Sequence, residues 1–296
     1  MRLIYEPRGP AREYSELACN LFGDAEGKHG GCSHGCLYCY CPDVLRIPPA
    51  RFHCRPLPRP NVLADLERDA ARMAQAGDRR RVLFSFIGDP YCPEEAETET
   101  SRRALEIMVA HGLNFDVLTK GGARAIRDFD LLEAGRASFG TSLAWTEDFS
   151  RRIWEPYAAT IEERWMAITH ARARGLRTWL SMEPVLDAEQ ALELLAWIEV
   201  DEVRIGRASH LLSSVTTIDW QAFTDAAYDL CLANAGGADT LVCGRAFLFK
   251  QSLAPYLRGR PPSGGADTLV CGPDLADRNV CPTKAREAPG VRPYAP

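Results

Sequence analysis

The amino-acid sequence predicts an α/β fold built on a parallel β-sheet, and three observations predict it. Short apolar runs alternate with segments whose apolar residues recur at helical spacing. Several of these helical segments end at a glycine, which is a common helix stop. About six such strand–helix units follow one another from residue 60 onward, and right-handed crossovers would join them into one sheet. Periodicity leaves open whether that sheet is a closed or partial barrel or is doubly wound.

The expected elements can be followed in order along the chain. Helices are expected over residues 61–77, 94–112, 124–135, 160–175, 187–198 and 219–234, where apolar residues recur at helical spacing. Thr160 and Glu163 form a capping box at the start of the fourth helix. Strands are expected over the apolar runs 82–87, 113–118, 138–144, 176–182, 202–205 and 240–243. In a barrel and in an open sheet alike, chemistry belongs at the carboxyl ends of these strands.

Composition indicates an ordinary globular protein and excludes two classes. The chain has 296 residues, of which 46% are hydrophobic and 25% charged, so it can bury a substantial core. No apolar stretch is long enough for a membrane span or a signal peptide, and we therefore expect a cytoplasmic protein without a membrane partner. The net charge of −5 argues against a protein that coats nucleic acid electrostatically, although a local basic groove stays open.

The chain is expected to form one main domain with a short C-terminal extension. Residues 1–258 carry the strand–helix units, whereas residues 259–296 are rich in proline and glycine and predict a poorly ordered tail. The sequence GGADTLVCG occurs at 236–244 and again at 264–272. Two copies do not make a solenoid, because stacked repeats need at least three units.

The cysteines give the clearest functional signal. The chain has eleven, too many for a disulfide framework in a reducing compartment, so a metal or redox centre is expected. The segment GGCSHGCLYCYCP at 30–42 spaces Cys32, Cys36 and Cys39 as C-x3-C-x2-C. Three thiolates on one short loop suit an iron–sulfur cubane, whose fourth iron would stay open for chemistry. Gly31 and Gly35 would allow the loop to turn closely around it.

A structural zinc site is the alternative interpretation of this loop. Cys36 and Cys39 would supply half of such a site, but structural zinc normally takes a second, distant ligand pair. The remaining candidates for that pair are irregularly spaced: Cys243, Cys271 and Cys281. Cys41 is interpreted as a spare buried thiol.

The loop, with Tyr38 just before its third cysteine, resembles the signature of the radical S-adenosylmethionine (SAM) superfamily. Further segments resemble the spore-photoproduct-lyase-like branch and follow in order at predicted strand ends: 84–93 (FSFIGDPYCP), 117–122 (VLTKGG), 141–145 (TSLAW) and 181–187 (SMEPVLD). The resemblance covers about residues 1–255 and implies a partial (βα)6-type parallel barrel, the radical SAM core. It also implies a [4Fe–4S] cluster on Cys32, Cys36 and Cys39, bound SAM, and an electron donor such as flavodoxin or ferredoxin. In this superfamily SAM is cleaved reductively to a 5′-deoxyadenosyl radical, which abstracts hydrogen from substrate.

The resemblance also implies roles for the residues that hold SAM. Gly88 and Asp89 occupy the place that contacts the SAM amino group, although Gly-Asp-Pro is also ordinary turn chemistry. Lys120 is expected to neutralise the SAM carboxylate and Ser142 to donate a hydroxyl to it, and a solvated lysine is the plain alternative. Tyr38 is expected to contact adenine.

Three more side chains have two interpretations each. Glu183 could bond the ribose, act on substrate, or simply cap the next helix. Trp145, beside Ser142, could stack on a base or pack the core. Trp179 lies inside a strand and is assigned to the core.

One position departs from the branch. Spore photoproduct lyase carries a hydrogen-donating cysteine three residues before the aspartate of the matching segment, and here that position is Phe86. Cys92, three residues after Asp89, could return a hydrogen atom to substrate, or it could be a packed thiol at a helix start. The absence of the cysteine argues against repair of a photoproduct in DNA itself.

The sequence therefore predicts a radical SAM enzyme, of lyase or isomerase type, acting on a nucleobase or nucleotide. A thymine-type base, already modified or not, is the substrate that the resemblance suggests, and DNA would add phosphate contacts. A basic rim with one aromatic could make them, from Arg51, Phe52, His53, Arg55, Arg59 and the arginines 79–81, although such residues more commonly form an ordinary solvated surface. The alternatives are radical modification of a peptide or small metabolite, and a non-catalytic binding protein stapled by a metal.

Overall fold

The structure of the protein, a computed structural model, describes residues 2–207, 217–234 and 245–264. Its strands, in chain order, are β1 (Ile4–Tyr5), β2 (Leu17–Cys19), β3 (Phe22–Gly23), β4 (Leu57–Pro58), β5 (Val82–Phe84), β6 (Phe115–Thr119), β7 (Ser138–Ser142), β8 (Arg177–Val185), β9 (Glu202–Arg207), β10 (Ala246–Phe249) and β11 (Ser263–Gly264). Nine of them form one sheet, and β3 pairs with β4 in a small hairpin-like sheet beside it.

The main sheet is almost entirely parallel. Its strand order is β1-β2-β5-β6-β7-β8-β9-β10-β11. All neighbours from β2 to β10 run parallel, and only the two outermost strands, β1 and β11, are antiparallel to the strand beside them. Among the described strands the two edges of the sheet do not pair with each other. The predicted α/β fold class is confirmed.

Helices connect the parallel strands and cover the sheet. They are α1 (Cys41–Leu45), α2 (Pro49–Phe52), α3 (Val62–Gln75), α4 (Glu95–Thr98), α5 (Thr100–Ala110), α6 (Phe129–Ala134), α7 (Asp148–Trp154), α8 (Ile161–Ala173), α9 (Ala188–Trp197) and α10 (Trp220–Asn234). Short 3-10 turns precede β2, α6 and β11. Strand residues such as Phe84, Val117, Phe139 and Leu180 are almost completely buried, as expected for a parallel sheet between helical layers.

Most predicted elements are present, and the differences have local causes. The capping box is complete, since the Thr160 side chain accepts from the Glu163 backbone and the Glu163 side chain from that of Thr160. The predicted helix 94–112 is split into α4 and α5, because Glu99 takes a left-handed conformation (φ +51°). The predicted helix 124–135 begins as a 3-10 turn that extends to Asp128.

Several elements were not predicted. The sequence did not predict the strands β2 and β10 or the helix α7. The predicted strand 82–87 is shorter than expected and ends at Phe84. The predicted strand 240–243, both copies of the GGADTLVCG repeat apart from Gly264, and the tail from residue 265 lie outside the described residues. The division into a domain at 1–258 and a poorly ordered tail stays a prediction. None of the described helices is both long and apolar enough to cross a membrane.

Candidate active site

The cysteine loop is held in place by main-chain hydrogen bonds on both of its sides. The Cys32 N–H donates to the Phe52 carbonyl (3.0 Å), which ties the loop to α2. On the other side Leu37 N–H donates to the Trp154 carbonyl (2.9 Å), and Tyr157 N–H donates to the His34 carbonyl (3.1 Å). The loop therefore lies between α2 and the connection that follows α7.

The loop also requires glycine where it passes the strand ends. A Cβ on Gly31 would lie 2.2 Å from the Gly23 carbonyl oxygen. A Cβ on Gly88, just after β5, would lie 2.6 Å from the Gly31 carbonyl oxygen, and Gly88 has φ +85°. Both contacts involve backbone, which cannot move aside as a flexible side chain could. Gly88 is thus a point of close approach between the β5 end and the cysteine loop, beyond the turn chemistry that its sequence suggests.

The three cysteines supply a donor set that suits a cluster. Cys32 and Cys36 are buried and Cys39 is half-buried. Burial raises the pKa of the Cys36 thiol to about 12, while the charge of Lys120 acts in the opposite direction. Thiolates in such a site need bound cationic metal to stay ionised. In the described part of the chain, no three His, Cys, Asp or Glu side chains converge as they would around one metal ion.

Asp89 lies against the cysteine loop with its charge stabilised by hydrogen bonds. Its carboxylate accepts from the Lys120 N–H (2.7 Å), the Thr119 hydroxyl (2.5 Å) and the Tyr91 N–H (2.8 Å), and His34 Nδ1 is 3.5 Å away. Burial alone would raise the pKa of Asp89, but His34 and these donors hold it below its ordinary value. Burial lowers the pKa of His34 to about 4. The hydrogen bonds to Asp89 therefore stabilise its carboxylate form beside the cysteine loop.

Lys120 lies inside the site and is not the solvated lysine of the plain alternative. Its Nζ is 5.6 Å from the centre of the Tyr38 ring. Burial would lower the pKa of Lys120, but the neighbouring Cys36 and Glu155 outweigh it and raise the pKa. The Tyr38 hydroxyl donates to Glu155 Oε1. Lys120 and Tyr38 are therefore a cation and an aromatic ring held side by side next to Cys36.

A buried ion pair connects Tyr38 to Ser142. Arg164 Nη2 is 2.5 Å from Glu155 Oε2, and both side chains are almost completely inaccessible to solvent. Arg164 also donates from Nη1 to the Ser142 carbonyl (2.9 Å) and from Nε to the Ala159 carbonyl (3.0 Å). Ser142 ends β7 and is buried.

Trp145 and Trp179 are both buried, as the packing interpretation expects. The Trp145 ring lies 6.2 Å from the Tyr38 ring, so it packs behind the residue that faces Lys120. Trp179 contacts the Tyr14 ring at 6.0 Å. Its indole N–H has no hydrogen-bond partner among the described residues.

Glu183 does not cap the helix that follows it. That helix, α9, is capped by Asp187, whose side chain accepts from the Gln190 N–H. Glu183 Oε2 instead accepts from the Tyr14 hydroxyl (2.6 Å) and from Lys250 Nζ (2.6 Å). The helix-cap interpretation is therefore wrong.

The other two candidate cysteines lie in different surroundings. Cys92 is completely buried in the main hydrophobic core, directly before α4, and burial raises the pKa of its thiol. Cys41 is also buried, and its thiol donates to the Phe86 carbonyl (3.5 Å). The Tyr40 hydroxyl donates to the same carbonyl (3.1 Å). Phe86 therefore lies against the cysteine loop, although it brings no thiol.

The arginines of the suggested basic rim do not share a face. Arg51 and Arg55 lie near the cysteine loop and pair with Asp24 and Glu97. The arginines 79–81 precede β5 and so lie at the amino ends of the strands, away from the loop. Arg80 and Arg81 are also paired with carboxylates, and Phe52 is fully buried. The expected basic rim is therefore not formed as one continuous surface by these arginines.

The structure places four residues at the site that the sequence did not indicate. They are Tyr14, Glu155, Arg164 and Lys250. Lys250 directly follows the strand β10, and recognition of the apolar run at 246–249 would have placed it at a carboxyl strand end. Tyr14 precedes β2 in a 3-10 turn, and no local pattern marks it. Glu155 and Arg164 are brought together only by the fold.

Two solved structures of spore photoproduct lyase share this fold. One is complexed with dinucleoside spore photoproduct (TM-score 0.54, 14% identity). The other is a double mutant of that enzyme with bound SAM and dinucleoside spore photoproduct (TM-score 0.54, 15% identity). Each match covers 79% of this chain and 66% of the other. The crystal structure of SuiB from Streptococcus suis matches with a TM-score of 0.52 and 12% identity, over 77% of this chain and 49% of SuiB.

Proteins related in sequence and one family profile also match this chain. Uncharacterized proteins of Mycobacterium tuberculosis and Mycobacterium bovis are 29% identical over 164 residues, which are 53% of this chain and 47% of theirs. The chain thus matches about half the length of these relatives. The profile of the radical SAM superfamily matches residues 28–205, from just before the cysteine loop into β9. The chain belongs to the radical SAM superfamily.

Proposed function

We propose that the protein is an enzyme that uses a [4Fe–4S] cluster on Cys32, Cys36 and Cys39 to cleave SAM reductively and abstract hydrogen from a nucleobase or nucleotide. The superfamily implies the cluster and SAM. The observation that carries the proposal is that Gly88, Asp89 and Lys120 all pack directly against the cysteine loop. A loop that only stapled the fold would not need a half-buried lysine and a buried aspartate beside it.

The residues around the loop suit the parts of SAM that must be held. Bound cluster and SAM supply the electron and the carbon radical of the superfamily's chemistry. Lys120 offers a half-buried positive charge for the SAM carboxylate, and Asp89 offers an ionised acceptor for its amino group. Ser142 offers a hydroxyl at the end of β7, and Tyr38 lies where it can contact adenine. Their burial would keep water away from a reactive centre.

A thymine-type base, handled in a lyase or isomerase reaction, is the substrate that we propose. Structures with the same fold hold a dinucleoside spore photoproduct. The scattered, paired arginines and the net charge of −5 favour a free nucleobase or nucleotide over DNA. Glu183, on the same side of the sheet, is proposed to act on substrate. Cys92, fully buried in the core, would reach substrate only after the loop around it moves. An electron donor such as flavodoxin or ferredoxin would supply the reducing equivalent.

The proposal is tested by anaerobic reconstitution with iron and sulfide, reduction with dithionite, and assay of SAM for 5′-deoxyadenosine. We expect product from the intact protein and none from Cys36→Ala, which lacks one ligand. Incubation with deuterated thymine nucleosides and analysis of 5′-deoxyadenosine for deuterium then tests the substrate class. A protein that takes up zinc and leaves SAM intact would contradict the proposal.

A further inference from the structure

A second polar cluster lines the sheet beside the cysteine loop, on β8, β9 and the end of β10. Trp179, Ser181 and Glu183 alternate along β8, so they project from one face of the sheet. Tyr14 crosses this face. Its ring lies 6.0 Å from that of Trp179, and its hydroxyl is 2.7 Å from Ser181 Oγ and 2.6 Å from Glu183 Oε2. Arg204, on β9, donates to the Tyr14 carbonyl (2.9 Å) and stacks 4.4 Å from the Trp179 ring.

Glu183 and Lys250 form the charged end of this cluster. Lys250 Nζ is 2.6 Å from Glu183 Oε2 and 4.2 Å from the centre of the Tyr14 ring, with only 3% of its side chain exposed. Both contacts to Glu183 use the same oxygen. Oε1 accepts no hydrogen bond from the described residues, and Lys250 donates only this one bond to them. The pair therefore keeps one carboxylate oxygen and two ammonium hydrogens for another partner.

The backbone makes room for this pair. A Cβ on Gly206 would lie 2.9 Å from Glu183 Oε1 and 3.1 Å from Lys250 Cδ. Any larger residue there would push into the free oxygen. The glycine therefore leaves Oε1 open where a side chain would have covered it.

The cluster is continuous with the cysteine loop. The Tyr14 ring packs edge-on against Phe86 at 5.9 Å. The carbonyl of Phe86 accepts from the hydroxyl of Tyr40, the residue after Cys39. Contacts through Tyr14 and Phe86 thus connect Glu183 with the cysteine loop.

We propose that Glu183, Lys250 and Tyr14 recognise the polar edge of the substrate through hydrogen bonds. The edge that they select is an N–H beside a C=O on a planar ring. The free carboxylate oxygen would accept from the N–H, and the ammonium group would donate to the C=O. Thymine and uracil present this imide edge, whereas cytosine presents the opposite polarity, an acceptor nitrogen beside an amino group. The inference rests on the proposed function and gives its substrate class a specific contact.

An arrangement kept only for stability would not need these groups. A buried ion pair contributes little net stability compared with apolar residues of similar volume. A buried charged pair whose hydrogen-bonding groups are not all used by the described residues, beside a proposed radical centre, is better explained by recognition.

The test is equilibrium dialysis, under anaerobic conditions, of thymidine and 2′-deoxycytidine against the enzyme loaded with cluster and SAM. The two nucleosides have nearly the same size and differ at the edge in question. We expect thymidine to bind about tenfold or more tightly, since one mismatched charged hydrogen bond changes affinity by that order. Glu183→Gln offers an amide N–H2 in place of the free oxygen and should bring the two affinities to within about twofold. Lys250→Met should also remove the preference.

The matched control is Glu133→Gln, which removes a carboxylate that pairs with Arg174 at the surface. It should keep the thymidine preference. Iron content and near-UV circular dichroism establish that each variant is folded and loaded. A preference for thymidine that persists in both Glu183→Gln and Lys250→Met would overturn the inference and leave the proposed function standing. Binding of neither nucleoside by the wild-type enzyme would overturn the proposed substrate class together with the inference.

Discussion

The buried Glu155–Arg164 pair offers a sharp test of how the site is supported. Glu155→Gln keeps the shape of the side chain and removes its charge, so Arg164 stays buried without an ionised partner. Burial would raise the pKa of Glu155, but Arg164, Lys120 and Tyr38 hold it below its ordinary value, and the wild-type residue is ionised at pH 7. The pair therefore exists as two charges inside the protein.

The magnitude follows from the burial of both partners. Their side chains are 2% and 0% exposed, and breaking such a pair typically costs about 3–5 kcal/mol. Arg164 keeps its hydrogen bonds to the carbonyls of Ser142 and Ala159, so we expect the lower end, about 3 kcal/mol. This corresponds to a fall in melting temperature of about 6 °C or more.

The assay is urea unfolding in anaerobic buffer, followed by tryptophan fluorescence, with the free energy of unfolding extrapolated to water. Glu133→Gln is the control, because its partner Arg174 is exposed and the pair should contribute less than about 1 kcal/mol. The double variant Glu155→Gln with Arg164→Met should recover part of the loss, because no uncompensated charge stays buried. A loss below about 1 kcal/mol for Glu155→Gln would refute the reasoning.

Three further predictions concern the loop and its surroundings. Gly88→Ala should cost at least about 1 kcal/mol and lower iron uptake, because its Cβ would meet the Gly31 carbonyl at 2.6 Å; normal iron content after reconstitution would contradict this. Cys41→Ala should bind a full cluster, as measured by iron and sulfide analysis, because Cys41 is not a predicted ligand. Loss of iron in this variant would show that Cys41 is a ligand. Arg151 lowers the pKa of Asp148 to about 2, so Asp148→Asn should cost about 1 kcal/mol at pH 7, after allowance for solvent screening. That cost should disappear as the pH falls from about 4 through 2, because the carboxylate is then protonated in both states, and unfolding curves at several pH values would measure it.

Local patterns in the sequence predicted the elements that depend on local interactions. The capping box at Thr160 and Glu163 and the glycine helix stops involve residues close in sequence, so these interactions can be recognised from the sequence alone. The helix α7 was missed because Phe149 and Ile153 are exposed, 72% and 48%. Its apolar residues therefore do not mark a buried face, so the segment lacks the helical spacing of apolar residues on which the prediction depends. The strand β2 is too short for alternation to be recognised.

The site residues also fall into those that the sequence could reveal and those that it could not. The cysteines and the Gly88–Asp89 turn lie within short motifs, so the resemblance to a known superfamily identified them. Lys120 was likewise proposed from the resemblance, on the segment VLTKGG at the end of a predicted strand. The contact between Tyr14 and Glu183 could not be predicted, because the two residues lie far apart in the sequence and no local pattern marks Tyr14. The helix-cap interpretation of Glu183 failed because a better cap, Asp187, lies at the helix start itself.

The two main-chain hydrogen bonds that join the cysteine loop to Trp154 and Tyr157 have a consequence for biosynthesis. During translation the three cysteines leave the ribosome long before the segment that holds their loop in shape has been made. The loop can reach its final form only after the chain has been synthesised through α7 and the residues beyond it. Under the proposed function, iron and sulfur would therefore reach the folded loop only after this segment has been made. A ribosome that stalls before this point would release cysteines that are present in sequence but not yet arranged to receive a cluster.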